Sequence, residues 1–466
     1  MEKICGQPEN SDAVRRLHLA WKGGVSMRRK LLAVCLAVSL LCSCSLQLNA
    51  ADLLEPPRLS AEQSAIYDAL ETAIGTSSFK LKYPRSGSNR SACTLCDLDG
   101  DGVEEAIAFY ELTTGGSTST WISVLSRQDD TWKSLKQIPG EASEVDRLEF
   151  ASILGGEKSI VVGWASTGED NSTCIFYNFV DGQLEKFKTD FSYNEMLIAD
   201  VDGDGLEEVV LCTLNGTRSA TMALLHESGG RIVRTSTVEM PSRLTGYLQL
   251  TAGELASGMS AVFADVTLSD GTTDTAVAQV DRTSQRTVLT ELSGEELGVY
   301  DSFNRPVAAA LCEDINGDGL IDIPVATPLP GYEKSDEEDA LWRITYKSVL
   351  GGELTDVRSF VINEADGYRF ALPDRWGDAV TVRRTSDGGE WSFIVYNGDL
   401  NDSTSAELLR IRTVSPSDYQ DKFETAEYTT IATKGIYEYQ ISLPDNAPEP
   451  YALSLEEATG LFALLS

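Results

Sequence analysis

The chain has 466 residues, enough for one large all-β domain or for two to three ordinary domains. It carries 38 basic and 72 acidic residues, a net charge of −34, and past residue 43 the imbalance deepens to 31 basic against 69 acidic. Such a surface repels nucleic-acid phosphates and anionic lipid and attracts cations, so nucleic-acid binding is argued against from the outset.

Residues 1–26 have no signal character. With Met27 as the start, Arg28, Arg29 and Lys30 form a basic n-region, and Leu31–Leu41 form an apolar segment of eleven residues. That length is too short to span a bilayer and fits the h-region of an export signal. Leu41-Cys42-Ser43-Cys44 resembles a bacterial lipobox, with a small residue before the cysteine and Leu three positions earlier. By that resemblance residues 1–43 are removed and Cys44 becomes the acylated first residue, palmitate included, of a lipoprotein held at the outer face of the cytoplasmic membrane. The competing reading is a plain secretory signal cleaved elsewhere.

Residues 44–90 are expected to hold this cysteine, a tether as far as "EPPRLS", and one short helix over Ser60–Gly75. There apolar residues recur at helical spacing between a Ser start and a Gly stop. Five cysteines follow, Cys93, Cys96, Cys174, Cys212 and Cys312, an odd number without regular spacing. Buried free thiols are expected rather than a disulfide framework, and Cys93-x-x-Cys96 lacks the βαβ context of a redox motif.

Beyond the helix the pattern changes to period two. "CDLDGDGVEEAIAFY" from Cys96 returns as "ADVDGDGLEEVVLCT" from Ala199 and "CEDINGDGLIDIPVA" from Cys312. Two acid-poor copies lie between them, with Ser152, Leu154 and Gly156 in place of the acids in one and Gly253, Leu255 and Ser257 in the other. Units then begin near 97, 152, 200, 253 and 314, steps that suit a four-stranded propeller blade and are too long for a solenoid coil.

Hard cations such as Ca²⁺ take six to eight oxygen ligands, and carboxylates two residues apart on a tight loop can converge on one ion. The first loop offers Asp97, Asp99, Asp101, the carbonyl of Val103, and Glu105. The second offers Asp200, Asp202, Asp204, the carbonyl of Leu206, and Glu208. The third offers Asp314, Asn316, Asp318, the carbonyl of Leu320, and Asp322. An EF-hand closes its loop with Glu at position twelve, where this chain has Ala108, Leu211 or Val325. Position nine closes these loops instead, so up to three Ca²⁺ ions are expected on shortened loops between strands. The blander alternative is a polar β-turn that favours Asp and Gly.

The three loops resemble the "DxDxDG" calcium loops of the FG-GAP/VCBS repeat family, known from integrin-like β-propellers. More narrowly, the chain resembles the VCBS repeat-containing lipoproteins of Gram-positive bacteria, through its lipobox, "LKYPRSG", "DINGDG" and "GYRFALPDRW". The repeat spacing predicts a mainly β fold, a β-propeller of about five four-stranded blades over 91–363, and the resemblance implies the same propeller class without fixing the blade number. Residues 364–466 are expected to form a C-terminal α+β module ending in an amphipathic helix at "SLEEATGLFALL", or else to add one or two further blades.

Catalytic candidates are few. His226 is the only histidine after His18, and "LLHESGGRIV" reads as a hairpin turn with a solvated side chain. No G-x-S-x-G elbow occurs, and Ser77-x-x-Lys80 lacks the companions of a penicillin-recognising site. The favoured expectation is therefore a non-catalytic, calcium-binding surface module that presents a face to a protein or glycan. The alternative is a surface hydrolase that acts on polysaccharide or peptidoglycan through paired carboxylates, with Asp374 and Trp376, or Trp121 and Trp132, lining a sugar site.

Overall fold

A computed structural model of the protein describes residues 60–465 except 77, 154–157, 169–170, 215–218, 283–286, 293–302, 337–338, 385–388 and 416–426. The signal segment, Cys44, Leu154, Gly156 and Ser77 therefore lie outside the described residues.

The first element is helix α1 (Ala61–Ile74). Ser60 Oγ accepts the Gln63 N–H at 3.1 Å while the Ser60 N–H donates to Gln63 Oε1 at 3.0 Å, a reciprocal capping box. Gly75, at φ +77°, ends the helix.

Antiparallel sheets account for most of the chain beyond this helix. The first holds β1 (Phe79–Lys82), β2 (Cys93–Cys96), β3 (Glu105–Thr114), β4 (Ser117–Gln128) and β5 (Thr131–Pro139). The second holds β6 (Glu144–Ala151), β7 (Ser159–Ala165), β8 (Ser172–Val180) and β9 (Gln183–Tyr193). The third holds β10 (Glu195–Ala199), β11 (Glu208–Thr213), β12 (Thr221–Glu227) and β13 (Ile232–Glu239). The fourth holds β14 (Leu244–Ala256), β15 (Met259–Leu268), β16 (Thr273–Arg282) and β17 (Thr287–Leu292). The fifth begins with β18 (Ile323–Pro328), β19 (Trp342–Leu350), β20 (Glu353–Asn363) and β21 (Tyr368–Ala371).

A 3₁₀ turn over Asp374–Ala379 then leads to a sixth sheet of β22 (Val380–Arg384), β23 (Glu390–Val395), β24 (Glu407–Val414), β25 (Thr429–Lys434) and β26 (Tyr437–Ser442). After helix α2 (Leu455–Leu461), the last strand β27 (Phe462–Leu464) returns to the edge of the fifth sheet beside β21.

Strand order inside the second, third and fourth sheets follows chain order, so each is a simple meander. Alternation along a strand then sends successive side chains to opposite neighbours. On β7, Ile160, Val162 and Trp164 pack with Ile107 and Phe109 of the first sheet, whereas Val161 packs with Val209 and Leu211 of the third. The same alternation joins the third sheet to the fourth through Val210, Met222, Val262 and Ala264. Phe263 and Ile323 join the fourth to the fifth, and Phe370 and Phe393 join the fifth to the sixth. The other face of the first sheet, with Ala106, Ala108 and Tyr110, is covered by Ile66 and Leu70 of α1. Consecutive cores, rather than one central core, hold the sheets together.

The five expected units correspond to the first five sheets, and the C-terminal strands add a sixth. Three boundaries differ from expectation. The division between 363 and 364 falls within the fifth sheet, because β21 and β27 extend it. The final helix stops at Leu461 and "FAL" is a strand, since Phe462 stacks on Tyr368 and pairs opposite Phe370. Gly253 and Leu255 are strand residues of β14 rather than loop residues, because β14 runs on to Ala256 before the chain turns. From Ala65 onward the described residues belong to one compact unit.

Candidate metal centres

The acidic loops lie between β2 and β3, between β10 and β11, and immediately before β18. In the fifth sheet the strand preceding the loop is reduced to a single antiparallel bridge, Glu313 to Asp322.

All three loops share one hydrogen-bond scheme. The position-one carboxylate accepts the N–H groups at positions four and six: Gly100 and Gly102 donate to Asp97 at 2.8 and 3.0 Å. Gly203 and Gly205 donate to Asp200 at 2.8 and 2.9 Å, and Gly317 and Gly319 to Asp314 at 2.7 and 2.9 Å. The position-five carboxylate accepts the N–H at position seven, from Val103 to Asp101, Leu206 to Asp204 and Leu320 to Asp318. The position-nine acid turns back to accept the N–H at position two, from Leu98 to Glu105, Val201 to Glu208 and Ile315 to Asp322, at 3.0–3.1 Å. Positions four and six have φ of +74° to +90° in every loop, a region only glycine enters without strain, so both glycines are required.

This scheme gathers acids that would otherwise repel one another by roughly a kcal/mol or more per pair. Carboxylate oxygens of Asp97, Asp99 and Asp101 lie within 4.8 Å of one another, as do those of Asp200, Asp202 and Asp204. In the third loop Asn316 replaces the middle acid, and its amide donates to Asp318 Oδ2 at 2.9 Å. Clusters of this kind suit a cation. The closing acids are buried in all three loops: Glu105 is 2% exposed, and Glu208 and Asp322 are fully buried. Burial lifts the carboxyl pKa of all three, and burial followed by the nearby Asp202 charge takes Glu208 to about 7. Asp314, at the loop surface, is held below the usual range chiefly by the Gly319 N–H.

Each closing acid also meets a side chain on the next strand. Ser348 donates its hydroxyl to Asp322, and the pairing of Ala106 with Leu125 sets Ser126 opposite Glu105. In the third sheet the corresponding residue is His226, whose Nδ1 lies 3.1 Å from Glu208 Oε1. The expected solvated turn is corrected here: His226 belongs to β12, and the pairing of Val209 with Leu225 sets it beside Glu208. The signal in the sequence is a polar residue one position after the partner of the first core residue of β3, β11 or β18. It is visible only once the strands are paired.

Two loops also bind the acid-poor unit before them. The position-eight N–H groups of Glu207 and Ile321 donate to Ser152 O at 3.1 Å and to Glu254 O at 2.8 Å. The loops therefore connect one sheet to the next.

The tryptophans that the hydrolase alternative would use to line a sugar site are packing residues, the role that aromatics at alternate strand positions usually have. Trp376 is 1% exposed between Phe370 and Phe393, Trp132 belongs to the α1 core beneath Arg127, and Trp121 stacks on Tyr110. All five described cysteines are free thiols. Among the described residues, no helix is long and apolar enough to cross a membrane.

No family model matches the chain, and no curated protein matches it. Among solved structures it is similar to one named as a candidate 6-phosphogluconolactonase from Bacteroides uniformis. The two are 13% identical, with a TM-score of 0.30, over 70% of this chain and 94% of that one. A likeness this low bears on neither the fold nor the chemistry of this protein.

Proposed function

We propose that the chain is an exported lipoprotein whose serial sheets are the blades of an FG-GAP/VCBS-type β-propeller. In this reading Ca²⁺ on the three acidic loops stiffens the junctions between blades, and the assembly presents a surface to a protein or glycan without catalysis. The observation that carries the reading is the shared scheme of the loops. Three segments more than a hundred residues apart set carboxylates at positions one, five and nine with the same amide partners. The lipobox at Cys44 and the acidic surface support export and cation binding.

Thermal unfolding of the full chain in excess Ca²⁺ and in EGTA tests this, with Asp97→Ala, Asp200→Ala and Asp314→Ala beside the wild type. A bound ion at about a hundred times its Kd adds about 2.7 kcal/mol per site. A calcium-dependent rise in Tm, reduced by each substitution, is the expected result; identical melts in both solutions would refute the calcium reading.

A second reading, a carboxylate hydrolase, draws on one cleft beside the fifth and sixth sheets. It has a volume of about 560 Å³ and is lined by Glu364, Asp366, Trp342 and Trp391 among others. Burial raises the pKa of Asp366, as a general acid requires. Release of reducing sugar from cell-wall polysaccharide, abolished by Glu364→Gln or Asp366→Asn, would establish it.

A further inference from the structure

The second loop differs from its two siblings behind the ring of aspartates. Where the first and fifth sheets place Ser126 and Ser348 beside the closing acid, the loop of the third sheet places an imidazole, His226. One ligand atom each from Asp202, Glu208 and His226 lies within 4.8 Å of the other two.

These groups are held, and one is incomplete. The Glu208 side chain is fully buried; its Oε2 accepts the Val201 N–H at 3.1 Å, and its Oε1 faces His226 Nδ1. Asp202 is also fully buried in its side chain. Its Oδ2 accepts the Thr287 hydroxyl and lies 3.6 Å from Arg282 Nε. Its Oδ1 is buried and has no hydrogen-bond partner, although burying a carboxylate oxygen unpaired is costly. Arg282 Nη2 lies 3.1 Å from Asp204 Oδ2, so a guanidinium already engages the outer side of the aspartate ring. What remains without a partner is Asp202 Oδ1, in the cluster with Glu208 and His226. His226 is 23% exposed, which leaves an approach from solvent.

We propose that Asp202, Glu208 and His226 form a site for a first-row transition-metal ion of the zinc class. The inference rests on the metal reading of these loops, though not on calcium. Ca²⁺ takes oxygen ligands, whereas imidazole suits Zn²⁺ and its neighbours. Two ligands at about 2.0–2.1 Å on a tetrahedral ion sit about 3.3 Å apart, close to the 3.1 Å between Nδ1 and Oε1. Three protein ligands leave a fourth position for water. The Val201 N–H and the Thr287 hydroxyl orient the two carboxylates from behind, as outer groups do at metal sites.

The chain has two histidines, His18 and His226, so ¹⁵N-histidine labelling of the full chain gives a readable probe. A His18→Gln variant assigns the two. In Ca²⁺-free buffer, Zn²⁺ is expected to move the Nδ1 resonance of His226 to a saturating shift. His226→Ser, which installs the residue of the sibling loops, is expected to keep the fold and to weaken Zn²⁺ binding at least about tenfold. An Nδ1 resonance unmoved by excess Zn²⁺, or unchanged Zn²⁺ affinity in a folded His226→Ser, would mean a hydrogen bond only and overturn the proposal. Calorimetry with Ca²⁺ on the same full chain separates the two readings. If Zn²⁺ fails while Ca²⁺ binds, this proposal falls alone. If Zn²⁺ engages His226 while Ca²⁺ binds nowhere, the calcium reading falls alone.

Discussion

Arg305 Nη2 lies 2.6 Å from Asp265 Oδ1, and both side chains are withdrawn from solvent, at 0% and 1% exposure. The pair ties β15 to the segment that leads into the third acidic loop. Every polar group around it is used. Arg305 donates further to Ala310 O, Phe303 O and Thr275 Oγ1, and Asp265 accepts the Thr275 hydroxyl and the Cys312 N–H. A buried ion pair is tolerated only when its geometry and remaining hydrogen bonds compensate for desolvation, and here they do.

Removing one partner should therefore be costly. Asp265→Asn leaves a buried guanidinium without its counter-charge, and a loss of about 3–5 kcal/mol is expected by urea denaturation. A loss under about 1 kcal/mol would show that the pair contributes little to the folded state.

The raised carboxyls give a pH signature. Glu208 goes from 4.5 to about 7 in the fold, and Glu105 and Asp322 also rise, all chiefly by burial. Between the unfolded and folded values the native state holds more protons, so stability increases as pH falls and is lost as pH rises through the folded pKa. In EGTA, the Tm should climb from pH 7 towards about pH 5. In Ca²⁺ the slope should reverse, because protons then compete with the cation for the same oxygens. A Tm in EGTA that drops across this interval would contradict the burial of these groups.

Two kinds of glycine should respond differently to alanine. At Gly102 and Gly205 an added methyl meets nothing within 4 Å, so the penalty comes only from positive φ, about 1–2 kcal/mol. At Gly163 the methyl would lie 1.9 Å from Tyr193 Oη, which donates to Asp146 at 2.6 Å. Gly163→Ala should cost more than either loop substitution, and Tyr193→Phe in the same background should recover part of it.

Thiol chemistry reads out the serial cores. Burial raises the pKa of all five described cysteines, taking Cys93 up to about 11, and Cys174, Cys212 and Cys312 are fully buried. Native protein should react with a thiol reagent at half-buried Cys96 first, and at the other four only on unfolding. Rapid reaction of Cys174 under native conditions would contradict the close packing between the second and third sheets.

The acidic loops were legible in the sequence because their chemistry is local. Position-one carboxylates bond amides three and five residues on, and the closing acid bonds an amide seven residues back, so spacing alone identifies Asp97 to Glu105 and its two siblings. Strands were legible for the same reason, since alternation records which side chains leave water. The links between distant segments were not. His226 meets Glu208 only through the β11–β12 register, and Thr287 reaches Asp202 across 85 residues and from another sheet. Strand β27 pairs with β21 although "GLFALL" continues an amphipathic helical pattern, because Phe462 finds Tyr368 and Tyr439 at the sheet edge. Local hydrogen bonding and side-chain alternation are properties of the chain itself. Which sheet edge is open, and which acid meets a serine or a histidine, depends on pairing free energies gained only when the sheets assemble.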